Sequence, residues 1–533
     1  METFTPLLAL IAFAFFASRR LPRYLHIFQQ DEYDGRRFLR WISTTRAFDK
    51  RVTLALLLGG IARLLLANLV PHGTGSLIYA VLFALFAAFE PDPKKEAKKK
   101  LVMTSRARRI FGTAFVLCLL AGGLASQMRS FWAWVFMVQA IPFLLALANV
   151  LLSPLEASIQ RRILNEAMAR LKEVDPVVVG ITGSFGKTSA KHILGHILEM
   201  HAPTLFTPGS VNTPMGVSRI IRENLRNDCR FFLVEMGAYG QGSIARLCRL
   251  TPPQTGIITA IGEAHYERFK SLDTVARAKF ELAEAVLGNE LGRIVIHEDA
   301  LDQDYARAFV EKKRDCFVIC GKSPSANLII ESVEQTVDGL TVQVRWKDQI
   351  FALMAPLFGK HHAGNMSLAF AAAVALGVPP ERAVTALRTT PQITHRLEVK
   401  PQPDGTTLID DAYNANPHGF SAALELMTML AAEAGGRRIL VTPGVAELGA
   451  MNDEVHRKLG AESARHADVA LVIRPDRIPS FAESFRAQEG AGLLVPLISL
   501  AEAQAWIKEN AKPKDVILLE NDLPDVLERR LRL

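Results

Sequence analysis

The pattern of apolar and polar positions divides this chain into two unlike parts. Up to residue 152 the apolar residues run together in five segments, about Pro6–Ala17, Val52–Val70, Leu77–Phe89, Ile110–Gln127 and Phe131–Leu152. A membrane-spanning helix needs about 20 apolar residues, so the first and third are short. From Ser153 the pattern turns helical and mixed, with Ile159, Ile163, Leu164, Met168 and Leu171 on one face, which predicts a connector helix over 153–175. Beyond it, short apolar runs at Val177–Val179, Phe231–Glu235, Thr255–Ala260, Ile294–His297 and Cys316–Cys320 alternate with helical stretches such as Thr274–Val286. This alternation predicts a mostly parallel sheet covered by helices on both faces. Period-two runs at Leu328–Val333, Leu340–Trp346 and Gln349–Leu353, with Val337-Asp-Gly-Leu between the first two, predict an antiparallel appendage. A second alternation follows, with strands at Thr407–Asp411, Arg438–Thr442, Val469–Ile473 and Val516–Glu520, and predicts a smaller α/β domain. The expected organisation is an α-helical transmembrane region over 1–152, the connector over 153–175, a central α/β domain over 176–392 and a C-terminal α/β domain over 393–533.

Charge assigns an orientation to the first part. Formal net charge is +8 over 533 residues. Residues 18–51 and 91–109 are dense in Lys and Arg, whereas connections 71–76 and 128–130 hold only Arg129. The positive-inside rule then predicts an outside N-terminus, five spans and a cytoplasmic remainder, hence a multi-pass protein of the cell (inner) membrane. The alternative is fewer spans, with the short segments lying in the interface. A cleaved signal peptide is not expected, because Glu2 precedes the first apolar run and Arg19-Arg20 follow it. The basic excess reads as a membrane-proximal surface, not a nucleic-acid site, since no aromatics interleave it. The five cysteines are scattered, and Cys316 and Cys320 read as reduced thiols of a cytosolic domain, not zinc ligands.

The chemistry centres on residues 177–200. An apolar strand, a glycine turn from Gly180 to Gly186, then Lys187-Thr188 opening a helix make the phosphate cradle of a nucleotide-binding P-loop. Lys187 is expected at the β- and γ-phosphates and the Thr188 hydroxyl on Mg²⁺. Strict spacing wants glycine where Ile181 stands. Glu235 and His265 each follow a strand's C-terminal end, the edge at which open α/β sheets bind ligands.

Thr182-Gly-Ser-Phe-Gly-Lys-Thr-Ser189, Glu235-Met-Gly-Ala238, Gly262-Glu-Ala-His265 and Ala278-Lys-Phe-Glu281 resemble the Mur ligase family, and most resemble its D-alanyl-D-alanine-adding branch. The resemblance implies a phosphate site of Gly183, Ser184, Gly186, Lys187, Thr188 and Ser189. It implies two Mg²⁺ ions held by Thr188, Glu235 and His265, with a carbamylated Lys279 between them; unmodified, Lys279 reads as a helix-surface lysine. Phe358-Gly-Lys-His-His-Ala-Gly-Asn365 is similar to the segment whose Asn contacts adenine. His395-Arg-Leu-Glu398 and Asp410-Asp-Ala-Tyr-Asn-Ala-Asn-Pro417 are similar to the family's third-domain motifs. There Arg396 would neutralise the γ-phosphate, Asp411 would hold the nucleotide or cation, and Tyr413 with Asn414 would pack near the base.

The resemblance covers about residues 175–533, and departs from the branch at Thr442-Pro-Gly-Val-Ala-Glu-Leu-Gly, the loop that helps hold the incoming amine. It implies ATP-dependent amide synthesis through an acyl phosphate, joining an amino acid or dipeptide such as D-Ala-D-Ala to a carboxylate of a cell-envelope precursor. Five spans exceed what an anchor requires, which favours a lipid-linked acceptor. The rivals are a folylpolyglutamate- or poly-glutamate-type ligase and a membrane ATPase of transport or signalling type.

Overall fold

The structure is a computed structural model and describes residues 4–31, 33–45, 47–65, 74–91, 100–128, 130–262, 271–412, 417–445 and 448–521. The chain divides between Gln160 and Arg161 into two compact units.

The first unit is helical: α1 (Phe4–Gln30), α2 (Gly35–Thr45), α3 (Lys50–Leu65), α4 (Thr74–Ala88), α5 (Ser105–Gln127) and α6 (Phe131–Val174), which runs on past the division. The apolar run Pro6–Ala17 is the first half of a longer helix, and the segment 131–152 continues without a break through the predicted connector. Among the described residues, three helices are long and apolar enough to cross a membrane: Thr5–Gln30, Ser105–Gln127 and Phe131–Val174. Phe13, Phe83 and Trp134 pack with ring centroids 5.3–5.4 Å apart. Gly122 lets α5 close on α1, since a Cβ there would stand 2.9 Å from the Phe13 ring.

Polar contacts in this unit join particular helix ends. Arg20 pairs with Asp49 at 2.6 Å and with Glu90 at 2.9 Å, and Arg23 pairs with Glu90 at 2.8 Å. Arg109 grips Glu156 through two bonds of 2.5 and 2.9 Å. Gln29 exchanges two hydrogen bonds with the Val102 backbone, and the Asn149 amide donates to the Tyr33 carbonyl. The C-terminal ends of α1 and α4, the N-terminal ends of α3 and α5, and residues 149–156 of α6 therefore lie at one level.

The second unit holds two sheets. The larger is built from β1 (Val177–Thr182), β2 (Thr204–Phe206), β3 (Phe231–Glu235), β4 (Thr255–Ile258), β5 (Arg293–His297), β6 (Phe317–Gly321), β7 (Leu328–Thr336), β8 (Gly339–Trp346) and β9 (Gln349–Ala355), in the order β2-β3-β1-β4-β5-β6-β7-β8-β9. It is parallel through β7 and antiparallel from β7 to β9. Successive residues point to opposite faces, and both faces are buried: Val178, Phe232 and Ile294 in one core, Val179, Leu233 and Val295 in the other. That is why these strands read as continuous apolar runs.

The second sheet comprises β10 (Glu398–Pro401), β11 (Thr407–Asp411), β12 (Arg438–Thr442), β13 (Val469–Ile473), β14 (Leu493–Leu497) and β15 (Val516–Glu520), in the order β10-β11-β15-β12-β13-β14. Only the β10–β11 pair is antiparallel. The apolar pattern misses β2, β10 and β14, because these short strands are half-exposed. All five cysteines are free.

Candidate active site

The glycine turn joins β1 to the helix Lys187–Glu199, and two of its glycines are required by geometry. Gly183 has φ +150° and Gly186 φ +79°, backbone regions costly for a residue with Cβ. A Cβ on Gly186 would collide with the Asn365 side chain, and one on Gly183 with Thr259. Ser184 anchors the turn: its N–H donates to the Ala260 carbonyl at 2.7 Å, and its Oγ accepts the Gly262 N–H at 3.0 Å. Ser189 is buried in the helix's first turn. Lys187 Nζ donates to the Gly183 and Ser184 carbonyls at 2.8 and 3.2 Å.

Glu235, the last residue of β3, meets the P-loop helix directly. The Thr188 hydroxyl donates to Glu235 Oε2 at 2.9 Å, and Lys191 Nζ reaches the same oxygen at 3.0 Å. Asn212 Nδ2 donates to Oε1 at 3.2 Å, and the Tyr239 hydroxyl donates to Asn212 Oδ1 at 3.0 Å. Burial alone would raise the Glu235 pKa, but the Lys191 and Lys187 charges outweigh it and hold the carboxylate ionised. Lys191, Asn212 and Tyr239 were not legible as site residues. The available signal was spacing: Lys191 follows Lys187 by one helical turn and shares its face.

Lys279 is not a surface residue. It lies 4% exposed within the helix Leu272–Val286, and its ammonium has no hydrogen-bond or ion-pair partner among the described residues. Burial, then the Lys187 charge, holds its pKa well below the usual lysine value. His265, Tyr413 and Asn414 lie outside the described residues.

Arg396 approaches from the start of the second α/β fold. It sits between His395 (φ +59°) and Leu397 (φ +50°), two left-handed non-glycine residues whose strain is held by side-chain clamps. His395 Nδ1 bonds Asp410 Oδ2 at 2.8 Å, and the Leu397 N–H donates to Asp411 Oδ1 at 3.2 Å. The Arg396 charge acts on both Lys187 and Asp411, so Arg396 lies within electrostatic reach of the P-loop lysine. His395, Glu398 and Asp410 are arranged as metal ligands might be, but Lys400 Nζ donates to Glu398 at 2.8 Å and to Asp410 at 3.0 Å and supplies the cation there.

Beside the loop is a cavity of about 780 Å³ lined by Phe185, Gly186, His297, Glu331, Asn365 and Gly419, a size suited to a small-molecule ligand. Asn365 is buried and accompanied by His362, whose Nδ1 lies 3.4 Å from Asn365 Nδ2. On the second sheet, the loop after β12 is held by buried His456, whose Nε2 accepts the Val445 N–H at 3.0 Å while its Nδ1 bonds the Asn452 carbonyl at 2.8 Å. The Thr188 hydroxyl and the Glu235 carboxylate are hard oxygen donors converging at the phosphate end of the loop, and they suit Mg²⁺.

Strand, glycine loop, Lys-Thr and a strand-end carboxylate together define a P-loop nucleotide-binding protein. Residues 181–373 match the Mur ligase middle domain, and residues 395–520 match the domain described as Mur ligase, glutamate ligase domain. These spans take up more than half of the chain, and the chain belongs to the Mur ligase family, whose domains are those of ATP-dependent C–N ligases. The UDP-N-acetylmuramoyl-tripeptide–D-alanyl-D-alanine ligase of Bacillus subtilis is 29% identical over 312 residues, 58% of this chain and 63% of that protein. The chain thus spans less than two thirds of that relative. Among solved structures, MurF of Acinetobacter baumannii is 26% identical with a TM-score of 0.56, covering 68% of this chain and 77% of that one. MurF of Thermotoga maritima in complex with ADP shares the fold at 22% identity and a TM-score of 0.57, covering 70% and 82%.

Proposed function

We propose that the protein is a membrane-embedded, ATP-dependent ligase that joins an amino acid or dipeptide, such as D-Ala-D-Ala, to a carboxylate of a cell-wall precursor. The observation that carries this reading is the meeting of Lys187, Thr188 and Glu235 with the charge of Arg396 from the second α/β fold. A cation brought to the phosphate site from another fold suits a reaction whose second substrate binds across a closing cleft.

The substrate carboxylate attacks the γ-phosphorus of ATP. A carboxyl O–P bond forms, the bond from γ-phosphorus to the β-bridging oxygen breaks, and ADP departs. Lys187 and Arg396 neutralise charge on the transferred group, and the backbone N–H groups of the loop hold the phosphates. An amine then attacks the acyl carbon; the C–N bond forms, the C–O bond to phosphate breaks, and the amine loses a proton. Asn365, which lines the cavity beside the loop, would contact the base, and Asp411 would position Arg396 by holding the Leu397 N–H. Mg²⁺ at Thr188 and Glu235, with His265 as a further ligand, would supply charge neutralisation at the phosphates. Lys279, buried and without a partner among the described residues, would be suited to add CO₂ as a neutral amine and lose a proton to form a carbamate. The helical unit would hold the enzyme in the inner membrane with its α/β folds in the cytoplasm, where a lipid-linked acceptor is within reach.

The test is ADP release by the purified full-length protein with ATP and Mg²⁺, D-Ala-D-Ala, and UDP-linked or lipid-linked muramoyl peptides. ADP release that requires both a carboxylate and an amine is the expected result. ATP hydrolysis indifferent to both would overturn the reading in favour of a membrane ATPase.

A further inference from the structure

The helical unit sorts its charges by sign as well as by level. Its described carboxylates at the common level are mostly internal: Asp49, Glu90 and Glu156 are 1%, 6% and 5% exposed and each is paired with an arginine. Asp34 is exposed, but its Oδ1 accepts the Arg36 and Arg37 N–H groups at the start of α2. The cations are the reverse. Arg36, Arg37, Arg40, Lys50, Arg51 and Lys100 are all exposed, and among the described residues only Arg37 has an acidic partner, Asp31 at 3.5 Å.

This exposed positive rim borders an exposed apolar band on the same helices. In α3, Lys50 and Arg51 are followed by exposed Leu54, Leu58 and Leu64; in α5, the basic start is followed by exposed Val116, Leu120 and Leu124. α2 lies at the border. Its Phe38 and Ile42 are buried, Trp41 is half-buried and stacks on Phe38 with centroids 6.3 Å apart, and its arginines face outward.

We propose that this rim, formed by α2, the start of α3 and Lys100 ahead of α5, is an interaction surface for the phosphate headgroups of an anionic membrane leaflet. The inference rests on reading the helical unit as membrane-embedded. Charge complementarity selects the partner: exposed guanidinium and ammonium groups, of which only Arg37 has an acidic partner among the described residues, border exposed leucines at headgroup depth, where anionic phosphates concentrate. With Asp49, Glu90 and Glu156 neutralised internally, Asp31 and Asp34 are the described acids left to oppose that attraction.

The experiment uses the full-length protein, delipidated in detergent, exposed to equal phosphatidylglycerol and phosphatidylcholine, repurified, and analysed for retained lipid. Enrichment of phosphatidylglycerol by at least about fivefold is expected, since each basic residue near the surface contributes roughly that factor. The variant R36Q/R37Q/R40Q should lower the enrichment severalfold, Lys50, Arg51 and Lys100 remaining, and R36K/R37K/R40K should recover it, because charge and not guanidinium shape is read. Equal retention by the unaltered protein, or unchanged enrichment in the Gln variant, overturns the proposal. Reconstitution into pure phosphatidylcholine vesicles followed by alkaline extraction tests the embedding by itself: protein that stays in the membrane without lipid preference sinks the rim alone, and protein that is extracted sinks the embedding.

Discussion

Lys191 Nζ lies 3.0 Å from Glu235 Oε2, and neither side chain is more than 1% exposed. The same lysine donates to the Gly209 carbonyl, so it ties the P-loop helix, the end of β3 and the loop before Asn212 into one body. A buried carboxylate that accepts from Thr188, Lys191 and Asn212 is held in one orientation toward Thr188, and preorganisation of this kind is what phosphoryl transfer needs.

Removing one partner of a buried pair leaves an uncompensated charge. Lys191→Met is therefore expected to destabilise the second unit by about 3–5 kcal/mol, read by urea denaturation followed through tryptophan fluorescence. A loss below about 1 kcal/mol would show that Glu235 finds another partner, contrary to the cage described.

Gly186→Ala places a Cβ at φ +79° against Asn365. Affinity for ADP with Mg²⁺ should fall at least about tenfold, while global stability drops by roughly 1–2 kcal/mol. Isothermal titration calorimetry beside a melting curve separates the two effects.

Lys279→Gln removes a buried ammonium without a described partner. Its desolvation cost disappears with it, so the melting temperature should hold or rise while carboxylate-dependent ADP release is lost. Depleting bicarbonate from the unaltered enzyme should lower the same activity reversibly; full activity in CO₂-free buffer would argue against a carbamate.

Asp411 and Glu520 are register partners at the ends of β11 and β15. Glu520 is fully buried, and the Asp411 carboxyl is its side-chain neighbour. Burial lifts Asp411 to about 6 against the pull of Arg396, and burial with the Asp411 charge lifts Glu520 well above the usual range. Both groups bind a proton more tightly folded than unfolded. The native state then holds more protons than the unfolded chain between pH 4 and 6, and stability falls as pH rises through that window. The melting temperature should decline as pH rises from 5 to 8, and Glu520→Gln should flatten that decline and raise the value at pH 8 by a few degrees. A variant with the same slope as the unaltered protein would remove Glu520 from the account.

The α/β alternation, the P-loop and the apolar helices of the first unit were legible because each is a local pattern: a period of two or 3.6, a glycine where φ is positive, a continuous apolar run. Glu235 was legible for the same reason, as an acid ending an apolar strand. Its partners were not. Lys191 and Asn212 read as ordinary helix and loop polar residues, and Lys279 as a surface lysine, because burial depends on which helices pack over the sheet.

What the amino-acid order determined by itself was the inventory of elements and the identity of the phosphate loop, since backbone conformation and amphipathic period are properties of neighbouring residues. Only the tertiary structure decided that Arg396 acts on Lys187 across more than two hundred residues of chain, and that arginines in the helical unit pair with buried Asp49, Glu90 and Glu156 while other cations form a positive rim outside. Those are relations between side chains far apart in sequence, set by close packing and by the cost of leaving a buried charge unpaired.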